Sequence, residues 1–252
     1  MIDNCRTHPH DVEWLIPSFE PRLENGDVHV WKADLNCTPE ALARLESTLN
    51  EEERIRADRL VFERDRNQFV AARGILRTIL GRYLHCSPGG VLFAYEPDGK
   101  PRLCESTVPV RFNISHSQGL ALLAFARDHE IGIDIEAMRI DIDAEEIATR
   151  FFSLTEQTEL RALRPEHRTE GFFLCWTRKE AYVKARGGGL GIPLDSFSVS
   201  LTPGTPATLR SLDGERWTLR SFRPSPGYAA AVVAEGRSRT FSYWSYSSVP
   251  RR

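Results

Sequence analysis

The sequence lacks the features that mark several large classes of protein. None of its apolar runs approaches the roughly 20 residues that a membrane-spanning helix needs. Its five cysteines are scattered and form no C-x-x-C pair, so neither a disulfide framework nor a zinc site is predicted. The formal net charge is −2, whereas nucleic-acid binding usually leaves a basic footprint. These absences predict a cytoplasmic protein that binds neither membranes nor nucleic acid.

The order of the predicted elements indicates an α+β fold. The 252 residues suffice for one large domain or two smaller ones. A strand is predicted over 28–35, a helix capped by Thr38 follows it, and a longer helix is predicted over 65–84. Strands, helices and strands then recur after residue 127. We therefore predict two similar lobes, 1–127 and 128–252, each with a small antiparallel sheet packed against helices.

Two carboxylates are predicted to project from one face of a strand. We predict a hairpin that joins 120–126 to 131–136. Because side chains alternate along a strand, Asp134 and Glu136 share a face. Neighbouring carboxylates repel each other unless a cation lies between them. With Glu180 they form an all-oxygen donor set that suits Mg²⁺, although a solvated acidic face is an alternative interpretation of the pair.

The run Trp-Thr-Arg-Lys-Glu-Ala-Tyr-Val-Lys at 176–184 predicts a helix with Glu180 and Lys184 on one face. An ordinary surface ion pair, worth about 0.3–0.5 kcal/mol, is the alternative interpretation. The apolar residues just before this run indicate a mostly buried helix, so the charged pair must face solvent or a site. A metal, a base and a nearby cation are the parts that phosphoryl-type transfer requires.

Two further segments offer groups that bind anions. Ser115 and His116 follow a strand-like stretch, and both side chains donate hydrogen bonds to phosphate oxygens. A polar strand end that satisfies its own backbone is the alternative. Six arginines, including Arg54 and Arg56, crowd 54–73, where they suit an anionic small molecule or form a solvated helix face.

Several of these motifs occur together in the order found in one family. They comprise Gly-Lys-Pro at 99–101, Phe-Asn-Ile-Ser-His-Ser at 112–117, Gly-Ile-Asp-Ile-Glu at 132–136, Arg-Phe-Phe-Ser at 150–153, the 176–184 run, and Pro-Leu-Asp-Ser-Phe-Ser-Val at 193–199. Through them the chain resembles the 4′-phosphopantetheinyl transferases, specifically the long, single-chain Sfp-type branch. The resemblance spans about residues 45 to 200.

The resemblance implies transfer of the 4′-phosphopantetheine arm of coenzyme A to a serine of an apo acyl or peptidyl carrier protein. The products are holo carrier protein and adenosine 3′,5′-bisphosphate. It implies that Asp134, Glu136 and Glu180 bind Mg²⁺. Glu180 also accepts the serine proton, directly or through a metal-held water, and Lys184 offsets charge on the phosphate and leaving group.

The resemblance also implies the contacts to coenzyme A. Lys100, Ser115 and His116 match positions that hold its phosphates, and Arg54 and Arg56 look like contacts to the 3′-phosphate. It further implies a monomer whose lobes are related by a pseudo-twofold axis and an acidic, helical carrier that docks near 144–150.

The sequence departs from the family at two positions. A lysine found near the nucleotide phosphate in some members is Glu53 here, and a family threonine is Phe69. Two other functions use a similar set of residues. One is a metal-dependent phosphohydrolase of coenzyme A or nucleotides, and the other is a non-catalytic coenzyme A-binding protein on the same scaffold.

Overall fold

The structure, a computed structural model, describes residues 12–17, 22–95, 101–104, 108–187, 191–237 and 239–247. Contacts divide the described chain into two compact units. The first unit comprises described residues of Trp14–His129 and Thr240–Arg252, and the second those of Met1–Glu13 and Glu130–Arg239. Within these ranges, no helix combines the length and apolar character needed to cross a membrane.

Eleven strands and six α-helices are assigned in the described ranges. In chain order they are β1 (Asp27–Asp34), α1 (Pro39–Glu46), α2 (Glu51–Asp58), α3 (Glu63–Leu84), β2 (Phe93–Tyr95), β3 (Pro101–Leu103), β4 (Val110–Ser117), β5 (Leu120–Arg127), β6 (Ile131–Ala137), α4 (Ala144–Phe151), α5 (Leu154–Ala162), α6 (Pro165–Arg186), β7 (Ser198–Val199), β8 (Leu209–Arg210), β9 (Trp217–Phe222), β10 (Tyr228–Glu235) and β11 (Thr240–Ser245).

The first unit is built on a four-stranded sheet in the order β11-β1-β5-β4. β1 runs parallel to β11 and antiparallel to β5, so this sheet is mixed. β4 and β5 form a hairpin whose turn residues, Gln118 and Gly119, both have positive φ (48° and 84°). Such a turn matches the right-handed twist of the flanking strands. Apolar residues of the sheet and of α3, among them Trp31, Ile75 and Phe125, form the core.

The second unit is built on the antiparallel sheet β6-β10-β9. α6 packs against β6 and β10. The core between them is rich in aromatic side chains, with Phe172 stacked on Phe152 at 5.4 Å between ring centroids. Tyr182 meets Phe197 edge to face at 4.7 Å. This packing fixes the face of α6 that is turned away from the core.

The two units repeat one topology. In each, a strand precedes three helices and a later hairpin returns so that its second strand pairs with the first strand, as β1-β5-β4 and β6-β10-β9. The third helix has 22 residues in both units. A two-stranded ribbon stands between that helix and the hairpin in both cases, as β2-β3 and β7-β8. The predicted α+β class with two similar lobes is confirmed.

Local sequence signals set the helix ends. The side chain of Thr38 accepts a hydrogen bond from the backbone N–H of Ala41, and Pro39 opens α1, as predicted. Ser153 and Glu156 form a complete capping box at the start of α5. The helix predicted over 65–84 is α3, which begins two residues earlier, at Glu63.

The predicted hairpin of 120–126 with 131–136 is wrong. Both strands exist, but β5 pairs with β1 and β4, whereas β6 pairs with β10 in another sheet. The residues between them are not a hairpin turn, because the chain there leaves the first unit and enters the second. The functional division into 1–127 and 128–252 stays a prediction. The structure adds that β11 belongs to the sheet of the first unit.

Candidate active site

A close contact between β6 and α6 organises the site. Gly132 lies on the same face of β6 as Asp134 and Glu136, since side chains alternate along a strand. A Cβ atom added at Gly132 would overlap the Ala181 carbonyl oxygen and would lie 2.9 Å from Cα of Ala185. Only glycine allows the helix to come this near. The contact brings the last two turns of α6 alongside the acidic residues of β6.

The exposure pattern of α6 identifies the stripe that faces outward. From residue 171 to residue 185, only Trp176, Glu180 and Lys184 are not buried. They recur every four residues, which places them on one side of the helix. Nζ of Lys184 donates to Oδ1 of Asp134 at 2.6 Å. The carboxylate is almost fully buried, with 5% of its side chain exposed, and the lysine side chain is 29% exposed.

The electrostatic setting of Glu180 shows that the carboxylates converge. Burial raises the pKa of Glu180 above its usual value, and the nearby negative charges of Asp134 and Glu136 raise it further. The ammonium of Lys184 acts in the opposite direction. Three carboxylates and one ammonium thus share one small region, where the negative charges outnumber the positive one. A further cation would relieve this imbalance.

No three His, Cys, Asp or Glu side chains of the described chain stand in the geometry of a metal site. Oδ1 of Asp134 accepts a hydrogen bond from Nζ of Lys184. The donor set itself fits a hard cation, because Asp134, Glu136 and Glu180 offer only carboxylate oxygens. The charge imbalance around Glu180 points the same way.

The predicted contacts to coenzyme A phosphates lie in the first unit. Arg54 and Arg56 are exposed on α2, and Arg54 lies 3.8 Å from Glu51. The guanidinium of Arg56 lies over the ring of Phe69, 5.5 Å from its centroid. Lys100, also predicted, lies outside the described residues.

Ser115 and His116 lie side by side on β4 but differ in exposure. Ser115 is 9% exposed and buried, whereas His116 is exposed. This follows from strand geometry, in which successive side chains point to opposite faces. A Ser-His dyad is therefore excluded by the strand, and His116 is the more accessible of the two groups.

The structure assigns a role to Lys179, which sequence reasoning did not. Its side chain is fully buried, and Nζ lies 2.7 Å from Oε2 of Glu156. The ammonium also donates to the carbonyl oxygens of Leu194 and Phe197, at 2.6 and 2.7 Å. Glu156 in turn accepts from the backbone N–H of Val199. Lys179 therefore ties α6 to α5 and to the segment before β7.

The first unit holds an equivalent pair. Glu53 is buried at the third position of α2, where it completes a capping box with Asn50. Its carboxylate lies 2.7 Å from Arg77 and 3.3 Å from Arg73, both on α3. Glu53, which departs from the family pattern, is thus an internal ion-pair partner.

Comparison with known proteins assigns the chain to a family. Residues 130–233 match the model of the 4′-phosphopantetheinyl transferase superfamily. Residues 33–128 match that of the N-terminal part of 4′-phosphopantetheinyl transferase. The boundary between the two matches coincides with the passage from the first unit to the second.

Individual relatives agree with the family models. The 4′-phosphopantetheinyl transferase HetI of Nostoc sp. is 40% identical over 92% of this chain and 98% of its own length. The 4′-phosphopantetheinyl transferase Sfp of Bacillus subtilis is 32% identical over 80% of this chain and 88% of its own. A solved structure of Thermotoga maritima holo-[acyl-carrier-protein] synthase gives a TM-score of 0.35 at 21% identity, over 43% of this chain and 64% of that one. A score this low supports no conclusion. From the matched models and full-length relatives, the chain belongs to the 4′-phosphopantetheinyl transferase family.

Proposed function

We propose that the protein transfers the 4′-phosphopantetheine arm of coenzyme A to a serine of an apo acyl or peptidyl carrier protein. The observation that carries this proposal is the grouping of Asp134, Glu180 and Lys184 where β6 meets α6. The grouping occurs in a member of the transferase family. In the reaction the serine oxygen bonds to the phosphorus that bears pantetheine. The bond from that phosphorus to the bridging oxygen breaks, and adenosine 3′,5′-bisphosphate leaves.

Asp134, Glu136 and Glu180 are the residues that hold Mg²⁺ in this proposal. The metal supplies charge stabilisation to the diphosphate of coenzyme A. The carboxylate donor set suits a hard cation, and negative charge exceeds positive charge in this region. Asp134 is buried and held by Lys184, so little of its side-chain freedom is left to lose when coenzyme A binds.

Glu180 takes the proton of the attacking serine. Its half-buried position and its acidic neighbours raise its pKa, which makes the ionised carboxylate a stronger base than one in water. Lys184, one turn later on the same stripe, keeps that carboxylate ionised and offsets negative charge on the phosphate as the bond breaks. The two residues act from one rigid helix, which fixes their separation.

Coenzyme A is anchored by groups of the first unit. Arg54 and Arg56 contact the 3′-phosphate, and Lys100, Ser115 and His116 contact the remaining phosphates. The exposure of Arg54, Arg56 and His116 supports this assignment, because each of these side chains lies at the solvent-accessible surface. The natural carrier is acidic and helical, and it docks near α4. The protein acts as a cytoplasmic monomer.

One experiment tests the proposal against its two rivals. The protein is incubated with coenzyme A, Mg²⁺ and apo carrier proteins from fatty-acid, polyketide and peptide synthesis, and each carrier is weighed by mass spectrometry. A mass gain of one phosphopantetheine group, dependent on Mg²⁺, is expected. Cleavage of coenzyme A without any change in carrier mass would identify a phosphohydrolase. Binding of coenzyme A with neither change would identify a non-catalytic binding protein.

A further inference from the structure

The last turn of α6 is held by contacts with other elements. Lys184 lies in the last turn, and the helix ends at Gly187 in the left-handed conformation (φ 67°). Terminal helical turns lack half of their backbone hydrogen bonds and open readily. Tertiary contacts must therefore hold Lys184 in place.

One such contact comes from Asp213, in the segment between β8 and β9. Its Oδ1 accepts from the hydroxyl of Tyr182 at 2.5 Å, and its Oδ2 lies 3.6 Å from the guanidinium of Arg186. Tyr182 and Arg186 are one turn apart on α6, on either side of Lys184 in sequence. Nη1 of Arg186 also donates to the Tyr182 hydroxyl at 3.2 Å. The Asp213 carboxylate thus contacts residues at both ends of the last turn, Tyr182 and Arg186.

Asp213 is itself held rigidly. Its carboxylate accepts from Oγ of Ser211 at 3.0 Å and from Nε1 of Trp217 at 3.1 Å. Burial acts to raise the pKa of Asp213, but the hydrogen bonds from Tyr182, Trp217 and Ser211 and the charge of Arg186 outweigh it and lower the pKa to about 2. The group therefore stays charged at neutral pH. Although Asp213 precedes a short 3₁₀ turn (Gly214–Arg216), its side chain does not cap that turn. The carboxylate instead contacts Tyr182 and Arg186 of α6.

The ring of Tyr182 completes the connection. It is 1% exposed and packs edge to face against Phe197 and Trp217, with centroids 4.7 and 5.9 Å away. On a neighbouring face of the helix, Ala181 and Ala185 press against Gly132. The last turn is therefore held by both β6 and the Asp213 segment, and Lys184 reaches Asp134 of β6.

We propose that Asp213 is a positioning residue for the transfer reaction, which acts by fixing the last turn of α6 and so the ammonium of Lys184. The inference rests on the proposed function and names a residue that touches neither substrate nor metal. If Asp213 acts through Lys184, its loss matters only while Lys184 is present. A residue that merely stabilises the fold would show no such dependence.

The test uses Asp213→Asn, Lys184→Ala and the double variant of the whole protein. Asp213→Asn is expected to lower kcat about 10- to 100-fold, because small misplacements of catalytic groups have effects of this size. In the Lys184→Ala background, Asp213→Asn is expected to change kcat by less than about twofold. A kcat of the double variant that falls by the product of the two single-variant losses would overturn the proposal.

Hydrogen exchange gives a readout that does not depend on activity. Asp213→Asn is expected to speed exchange of the backbone amides of 183–187 while leaving those of 165–175 unchanged. Tyr182→Phe, which keeps the ring but removes its hydroxyl, is expected to do the same and serves if Asp213→Asn folds poorly. Glu215→Gln is the matched control, since it removes one exposed negative charge from the same segment. Unchanged exchange at 183–187 in both test variants would refute the fixing of the last turn by Asp213, even if wild-type protein transferred nothing and the proposed function failed.

Discussion

Lys179→Met tests whether the lysine beside Glu180 serves the fold or the chemistry. The Lys179 side chain is fully buried, and its ammonium contacts the Glu156 carboxylate and the carbonyl oxygens of Leu194 and Phe197. It also lies over the ring of Phe197, 4.3 Å from the centroid. Methionine fills a similar volume without the charge. The variant therefore leaves the Glu156 carboxylate buried and without its counter-ion.

The expected loss is large because the remaining charge has no access to water. Removing one partner of a buried ion pair costs about 3–5 kcal/mol. For domains of about this size, each kcal/mol lowers the melting temperature by about 2–4 °C, so a decrease of about 6–20 °C is expected. The control is Arg237→Met, whose pair with Glu215 is exposed (70% and 91% of the side chains). An exposed pair contributes about 0–1 kcal/mol, so a decrease of at most about 4 °C is expected there.

The assay combines thermal unfolding by circular dichroism with transfer activity well below both melting temperatures. Lys179→Met should lose stability yet retain turnover per folded molecule within about tenfold, since single losses of a group active in the chemistry commonly exceed that. Glu156→Gln combined with Lys179→Met should be more stable than Lys179→Met alone, because no unpaired carboxylate is left. An unchanged melting temperature of Lys179→Met together with a loss of its transfer activity would refute the structural role. It would show that the Lys179 ammonium takes part in the reaction.

Three further predictions concern the site and the core. Gly132→Ala should destabilise the protein by about 1–3 kcal/mol in denaturant unfolding and lower kcat, because its Cβ would push β6 away from α6. The control is Gly191→Ala, where an added Cβ meets nothing within 4 Å. Equal stability and kcat of the two variants would contradict the argument. Glu180→Gln should lower the rate of transfer at least about 100-fold, as loss of a general base does, while calorimetry still detects coenzyme A binding. Retained turnover would show that Glu180 is not the base. Burial lowers the pKa of His29 from 6.5 to about 4, so the unfolded chain binds the proton more readily than the folded one between these values. The free energy of unfolding should therefore fall by up to about 3 kcal/mol as the pH drops from 6.5 to 4. In urea unfolding, this free energy should depend less on pH for His29→Gln than for the wild type over that window. The same pH dependence in both proteins would show that another group causes the loss of stability.

Sequence reasoning located the carboxylates because their positions depend on local rules. Strand alternation places Asp134 and Glu136 on one face, and helical spacing places Glu180 beside Lys184. The partner of each strand was not predictable in the same way. The segments that became β5 and β6 are neighbours in sequence with a turn-like connection, which favours a hairpin. The recurring order of elements predicted a lobe boundary near residue 127, but it did not show which strands pair.

The buried ion pairs lay beyond sequence reasoning for a different reason. Glu156 and Lys179 are 2.7 Å apart in space but belong to different helices, and nothing in periodicity couples them. The same holds for Asp213, whose carboxylate meets α6 from a segment that sequence patterns leave unassigned. Long-range contacts between charged groups depend on the tertiary fold, whereas periodicity reports only the local elements.

The parallel pairing of β1 with β11 affects how the protein folds during synthesis. Asp27 pairs with Thr240, so the outer edge of β1 has no strand to bond until the ribosome has made the chain as far as β11, about 200 residues later. At about 5–20 residues per second, this delay lasts about 10–40 s. Most of the second unit lies in one stretch, Glu130–Arg239, which can assemble during that interval, while β1 presents an open edge that invites pairing with other chains. Truncation before β11 is expected to leave that edge of β1 permanently exposed.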